Sequence, residues 1–183
     1  MSEQHRWRLL ERRTLIAEPW FTLHADACET PRGERIDPYY VLGGADSAIA
    51  LACTPEAELV LVEQYRHAAG QLTWELPGGV IDAGEDAVTA AARELLEETG
   101  FAGEGARVLL AGAQAVHRFS TRTHLVALDR ALAVQAPRTG LGEHTCVRLW
   151  PLSEAKALLT HPLFADLGQK GLLAAGLAQL GRL

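Results

Sequence analysis

Three glutamates lie close together near the middle of this 183-residue sequence, at Glu94, Glu97 and Glu98. On an α-helix, positions i, i+3 and i+4 share one face about one turn apart. Carboxylates this close repel one another, and their burial is unfavourable unless a cation neutralises them. Because oxygen ligands select hard cations, this spacing is typical of a magnesium, manganese or calcium site. A glutamate-rich face is also common on solvated helices, so the spacing alone leaves both interpretations open.

Two neighbouring features favour the metal site. The segment Pro77-Gly78-Gly79 comes before the glutamates, and its small residues allow a ligand to approach the backbone closely. Arg93 adjoins Glu94, and Glu85 lies about two helical turns earlier. An ion pair between Arg93 and Glu85 would brace the glycine-rich loop against the helix.

The element that must carry the glutamates is a helix from Asp86 to Thr99, which follows the glycine-rich loop and ends at Gly100. An apolar stripe would seat this helix on a sheet and leave the glutamates in a cleft; it comprises Ala87, Ala90, Ala91 and Leu95.

Strand patterns surround this helix. Alternating residues predict a small N-terminal antiparallel sheet, with strands at Trp7–Leu15, Phe21–Cys28 and Ile36–Leu42. Two apolar stretches predict a buried central hairpin, Ser47–Cys53 and Leu59–Tyr65. Later strands are expected at Val108–Val116, Thr123–Leu128 and Thr145–Trp150, and later helices at Ser153–Leu159 and Leu167–Leu180. Strands enclosed by helices predict a mixed α/β layer structure.

Composition excludes several classes of protein. The formal charge of -6 disfavours general binding to nucleic acids, which depends on clustered Lys and Arg. The odd set of cysteines, Cys28, Cys53 and Cys146, lacks disulfide or zinc spacing and favours a reducing cytoplasm. We found no export signal and no apolar run long enough for a bilayer, so we expect no membrane partner.

The residues around the helix resemble the complete Nudix box. The pattern has five residues between Gly79 and Glu85 and seven between Glu85 and Arg93, and every fixed position is filled: Gly79, Glu85, Arg93, Glu94, Leu95, Glu97, Glu98, Gly100 and Phe101. The resemblance implies an α/β/α sandwich in which the three glutamates bind Mg2+, with Mn2+ as a substitute. It also implies a Gly78 carbonyl ligand, orientation of the cluster by Arg93 and Glu85, and water as the nucleophile.

Outside the box, the chain resembles the ADP-ribose and nucleoside diphosphate sugar pyrophosphatase branch of that family. The resemblance covers Gln64-Tyr65-Arg66, Glu75-Leu76-Pro77-Gly78-Gly79 and the N-terminal strands. It implies a homodimer formed through an N-terminal β extension, residues 1–45, joined to a hydrolase domain, residues 46–183. It also implies a general base in the loop Gly140-Leu141-Gly142-Glu143, which makes Glu143 the candidate.

The expected substrate contacts are Arg66, Glu75, Gly79 and Arg118. Arg66 is suited to phosphate or ribose, although an ion pair at a strand end is an equal alternative. Glu75 would contact the ligand or brace Arg66. Arg118 lies in Val116-His117-Arg118-Phe119-Ser120, where ADP-ribose hydrolases commonly have a loop with Pro-Gly, and this departure weakens the assignment of the substrate.

We therefore expect an enzyme that hydrolyses ADP-ribose or a related nucleoside diphosphate sugar to a nucleoside monophosphate and a sugar phosphate. Dinucleoside polyphosphates and oxidised nucleoside triphosphates are the alternative substrates. A nucleotide sensor without catalysis is a second class, and it would be expected to have lost one of Glu94, Glu97 and Glu98. A protein that removes RNA caps should display a basic face, which the acidic composition opposes.

Overall fold

The N-terminal strands form an antiparallel sheet of their own, in the order β1-β2-β3. The computed structural model describes residues 5–138 and 144–183. Within them, β1 is Arg8–Glu18, β2 is Phe21–Glu29 and β3 is Arg35–Gly43. These three strands confirm the sequence prediction. Their alternating pattern is local to each strand, and the turns between them are short.

The chain divides into two compact units. The first contains the N-terminal sheet, up to Asp46, together with residues 113–122. That segment is joined to β3 by two backbone hydrogen bonds, from Leu42 N to the Arg118 carbonyl (2.8 Å) and from Ser120 N to the Leu42 carbonyl (2.9 Å). Residues 113–122, which our sequence-based division assigned to the hydrolase domain, therefore belong to the unit of the N-terminal sheet.

The second unit, Ser47–Gly112 with Thr123–Leu183, contains two sheets. One has the order β7-β4-β9-β8, and the other has the order β10-β5-β6. The strands are β4 Ser47–Ala52, β5 Glu58–Arg66, β6 Gln71–Glu75, β7 Gly78–Val80, β8 Phe101–Gly112, β9 Thr123–Ala133 and β10 Thr145–Pro151. The helices are α1 Ala87–Thr99, a 3₁₀ turn Leu152–Glu154, α2 Ala155–Leu158 and α3 Leu167–Gln179.

The predicted central hairpin is wrong. Strands β4 and β5 are both buried, but they lie in different sheets and share a single isolated bridge between Cys53 and Leu59. β4 pairs with β9 in parallel on one edge and with β7 on the other. An apolar run predicts burial but does not identify the partner strand, so adjacency along the chain was a poor guide here.

Other boundaries also differ. β8 begins at Phe101, directly after the helix, and ends at Gly112, whereas the pattern predicted Val108–Val116. β6 and the three-residue β7 were not predicted, because β7 consists of Gly78, Gly79 and Val80 and glycine is depleted in strands.

The core confirms the α/β/α arrangement. Alternate residues of β4 point to opposite faces of the sheet. Ile49 and Leu51 pack in one apolar cluster with Leu173 and Leu177 of α3. Ala48, Ala50 and Ala52 pack in the other, where α1 contributes Ala90, Ala91 and Leu95. The sheet is thus covered by α1 on one side and α3 on the other. No helix in the described part of the chain is long and apolar enough to cross a membrane.

Candidate active site

Helix α1 begins and ends where the sequence predicts. Asp86 is the N-cap, and its side chain accepts a hydrogen bond of 2.8 Å from Thr89 N. Gly100 closes the helix in the left-handed conformation, with φ 75°, and its N–H donates to the Leu96 carbonyl. Ala90, Ala91 and Leu95 are fully buried, as the predicted stripe requires, so the orientation of α1 on the sheet is set by packing.

Arg93 is the centre of a dense network on α1. Its Nε and NH2 atoms donate to the two carboxylate oxygens of Glu85 at 3.0 and 2.9 Å. NH1 donates to Glu94 at 2.8 Å and to Glu97 at 3.2 Å, and NH2 also reaches the Val80 carbonyl at 3.0 Å. The hydrogen bond from Arg93 is the largest cause that lowers the pKa of Glu85, and the same bond raises the pKa of Arg93. The predicted brace between loop and helix is therefore present.

Glu98 connects α1 to the glycine-rich loop. Its residue is 8% exposed, and its carboxylate accepts a hydrogen bond of 2.9 Å from Gly78 N. A Cβ on Gly78 would collide with the Ala48 carbonyl and Ile49, while a Cβ on Gly79 would collide with the Glu94 carboxylate. Both glycines are thus required by close approach, one against strand β4 and the other against a catalytic side chain.

The donor set fits a hard divalent cation. Glu94, Glu97 and Glu98 supply only carboxylate oxygens, and the Gly78 carbonyl is available from a loop that already contacts Glu98. Among the described residues, no three acidic, His or Cys side chains are gathered into a ready-made metal site. Instead, Arg93 takes up Glu94 and Glu97, so its positive charge offsets part of their repulsion.

Two tertiary contacts at the end of α1 were missed by sequence reasoning. Arg138 N donates to the Glu97 carbonyl at 2.7 Å, and Thr145 Oγ1 donates to the Glu98 carbonyl at 3.0 Å. The last carbonyls of a helix lack partners within it. These bonds supply partners at the two positions that carry candidate metal ligands. No local pattern indicates them, because both donors lie about 40 residues or more further along the chain.

Arg66 and Glu75 form a bidentate ion pair. Arg66 Nε and NH2 donate to Glu75 at 2.8 and 2.5 Å, and Thr73 Oγ1 donates at 2.6 Å. Burial raises the pKa of Glu75, but the hydrogen bonds from Arg66 and Thr73 and the charge of Arg66 outweigh it, so the pKa is lowered. The structure therefore contains the bracing role foreseen for Glu75. Contact of either residue with substrate stays a prediction.

The remaining predicted residues lie outside this network. Arg118 belongs to the first unit, where its guanidinium lies 5.2 Å from the centre of the Tyr39 ring. That position is a cation–π contact, and a role in binding substrate stays a prediction. Glu143, the candidate general base, lies outside the described residues.

Comparison with known proteins decides the family. The NUDIX domain family matches residues 44–167, and the nucleoside diphosphate sugar hydrolase N-terminal domain matches residues 7–42. The chain belongs to the Nudix family. It is a hydrolase, and the predicted branch, that of the ADP-ribose and nucleoside diphosphate sugar hydrolases, is confirmed.

Relatives of this Nudix protein have several names. A CMP-5'-(N-acetyl-N-hydroxy-3-aminopropyl)phosphonate hydrolase from Streptomyces rubellomurinus is 30% identical over 84% of this chain and 74% of its own length. A methanol dehydrogenase activator from Bacillus methanolicus is 31% identical over 82% of this chain and 83% of its own. An ADP-ribose pyrophosphatase from Mycobacterium tuberculosis is 34% identical over 58% and 52%, respectively. A crystal structure of an ADP compounds hydrolase covers both chains fully with a TM-score of 0.86 at 22% identity, which supports the fold.

Proposed function

We propose that this Nudix protein hydrolyses the diphosphate link of ADP-ribose or a related nucleoside diphosphate sugar in a reaction that requires Mg2+, with Mn2+ as a substitute. The products are a nucleoside monophosphate and a sugar phosphate. The observation that carries this proposal is the network in which Arg93 binds Glu85, Glu94 and Glu97 while Glu98 binds the Gly78 amide. The match to the nucleoside diphosphate sugar hydrolase N-terminal domain supports the class of substrate.

The residues of α1 and the loop divide the work. Glu94, Glu97 and Glu98, with the Gly78 carbonyl, would hold the cation. When bound, it neutralises the charge that develops on the phosphoryl oxygens and favours deprotonation of the attacking water. Glu85 and Val80 fix the Arg93 guanidinium from two sides, which orients the carboxylates. Hydrolysis by water needs no Ser or Cys nucleophile. Glu143 remains our predicted general base.

Substrate contacts and assembly complete the proposal. Arg66, braced by Glu75, is suited to a phosphate or ribose oxygen, while Gly79 leaves room for the ligand beside Glu94. Arg118 is the proposed contact from the first unit. The protein would act as a homodimer through its N-terminal sheet and reside in the cytoplasm, where its three cysteines, free in the structure, would stay reduced. We propose no nucleic acid partner.

A panel of substrates tests the reaction. Purified protein with Mg2+ is incubated with ADP-ribose, other nucleoside diphosphate sugars, dinucleoside polyphosphates and nucleoside triphosphates, and the products are separated by chromatography. A cytidylate linked to a phosphonate belongs in the panel, because one relative bears that activity in its name. We expect diphosphate sugars to be cleaved fastest. Faster cleavage of polyphosphates or triphosphates would contradict the class of substrate.

Paired substitutions test the site. Glu98→Gln removes a proposed ligand and should lower kcat/KM by at least about 100-fold, the upper end of the loss seen when the outer partners of a metal site are removed. Glu104→Gln is the control, because the Glu104 side chain is 72% exposed and pairs only with the exposed Arg130 among the described residues. Equal activity of both variants would remove Glu98 from the mechanism.

A further inference from the structure

Gln169 is a buried amide in the first turn of α3. The residue is 9% exposed, and its own N–H donates to Asp166, the N-cap of the helix, at 2.7 Å. Its side-chain Oε1 accepts a hydrogen bond of 3.1 Å from the backbone N–H of Leu76. A polar side chain turned inward from an otherwise apolar helix face is unusual, since burial of an amide is unfavourable unless it is hydrogen-bonded.

The bond to Leu76 acts on the segment that reaches the carboxylates. Leu76 is 2% exposed and lies between β6 and the glycines of β7. The next residue, Pro77, accepts a hydrogen bond of 2.7 Å from Ala50 N, and Gly78 N then donates to Glu98 at 2.9 Å. Three successive residues are therefore fixed by three different elements, α3, β4 and α1.

Each of these bonds restrains a different part of the peptide chain. The bond to Ala50 holds the Pro77 carbonyl, and the bond to Glu98 holds the Gly78 amide. Proline has no N–H, so Pro77 cannot offer a donor to fix the chain before that point. Within the described residues, Gln169 supplies the acceptor for the Leu76 N–H, which is the last backbone donor before Gly78.

We propose that Gln169 is a positioning residue that sets the Gly78 peptide against Glu98 and thereby controls the affinity of the site for divalent cations. This inference rests on the proposed function, because it takes Glu98 and the Gly78 carbonyl as ligands. Without the acceptor, the buried Leu76 N–H loses its partner and the loop relaxes away from Glu98. Metal sites are sensitive to such shifts, since their supporting partners typically change affinity by about 10- to 100-fold.

Two substitutions separate the hydrogen bond from the volume of the side chain. Gln169→Met preserves the length of the side chain and removes the acceptor, whereas Gln169→Glu keeps an oxygen acceptor. Leu177→Ala is the control for lost stability, because Leu177 lies about two helical turns further along α3 and is fully buried. Urea unfolding establishes the stability of each variant.

The decisive measurements are made without substrate. Amide hydrogen exchange in the metal-free protein reports on the Leu76 N–H, and electron paramagnetic resonance of free Mn2+ gives its dissociation constant. Gln169→Met should speed exchange at Leu76 and weaken Mn2+ binding by about 10- to 100-fold. Gln169→Glu should restore protection at Leu76 and most of the affinity. Leu177→Ala should be less stable but bind Mn2+ as the wild type does.

Three outcomes would overturn the proposal: unchanged Leu76 exchange in Gln169→Met, equal loss of Mn2+ affinity in Gln169→Met and Leu177→Ala, or a wild type that binds no Mn2+. A wild type that binds Mn2+ but hydrolyses none of the panel would contradict the proposed function instead. In that case, the Mn2+ and exchange measurements still decide the role of Gln169.

Discussion

Arg93 illustrates how much one side chain does in this site. Its guanidinium donates to Glu85, Glu94, Glu97 and the Val80 carbonyl, which uses all three of its nitrogen atoms. Lysine could not reproduce this arrangement, because its single ammonium lacks the planar fork of donors. The guanidinium also holds Glu94 and Glu97 near one another before a cation arrives. Arg93 therefore both supports the loop and lowers the repulsion within the proposed ligand set.

The ion pair of Glu75 with Arg66 predicts a pH dependence. The pKa of Glu75 is lower in the folded protein, so its contribution to stability is present above the ordinary glutamate pKa of about 4.3 and is lost as the pH falls through the lowered value. Glu75→Gln should cost about 1.5 kcal/mol at neutral pH, a low value for a charged hydrogen bond because the Arg66 side chain is 48% exposed. Urea unfolding at a series of pH values measures the difference.

That difference should shrink as the solution is acidified below the ordinary glutamate pKa. Glu56→Gln is the control, since Glu56 is exposed and has no ion pair among residues 5–138 and 144–183. Its profile should follow the wild type. A Glu75→Gln deficit that stays constant down to the acid transition would show that the charge of Glu75 is not the source of the stability.

At the scale of elements, α1 depends on signals at both ends. Asp86 and Gly100 are local signals, and both were predicted from the sequence. The carbonyls of Glu97 and Glu98 are satisfied by Arg138 and Thr145, which approach from a distant part of the chain. The end of the helix is therefore built partly by its own sequence and partly by β10 and the segment before it.

Gly100 and Gly84 form a matched pair for a test of the helix end. Both have positive φ, 75° and 85°, where alanine costs about 1–2 kcal/mol. A Cβ at Gly100 would also collide with the Gln135 carbonyl, whereas a Cβ at Gly84 meets nothing within 4 Å. Thermal unfolding should show a much larger loss for Gly100→Ala than for Gly84→Ala. Similar losses would indicate that the backbone angle, and not the collision, makes glycine necessary at the end of α1.

At the scale of the whole molecule, the N-terminal sheet lacks a partner for one of its strands. β1 is exposed along its whole length, although four of its residues are large and apolar: Leu9, Leu10, Leu15 and Ile16. A strand at the edge of a three-stranded sheet with such residues is prone to associate with another surface. This supports the proposed homodimer.

The oligomeric state tests that proposal. Sedimentation equilibrium should show a dimer for the wild type, and Leu15→Glu should weaken it at least about tenfold, because each factor of ten requires only about 1.4 kcal/mol. Leu132→Glu on β9 is the matched control, since Leu15 and Leu132 are 51% and 50% exposed. It should leave the dimer intact. A monomeric wild type, or equal effects of the two substitutions, would contradict a dimer formed through β1.

The sequence alone determined the features that depend on neighbours along the chain. It predicted α1 with both of its caps, its apolar stripe, the brace from Glu85 to Arg93, the three N-terminal strands and the family. Periodicity and capping arise within a few residues, so they can be recognised without knowledge of the fold.

Only the tertiary structure decided which distant segments meet. β4 pairs with β9 and not with β5, residues 113–122 join the N-terminal sheet, and Thr145 and Gln169 reach backbone atoms 47 and 93 positions away. Apolar residues and amides carry no information about their partners, because burial and hydrogen bonding can be satisfied by many surfaces. The choice among those surfaces is made by the packing of the whole chain.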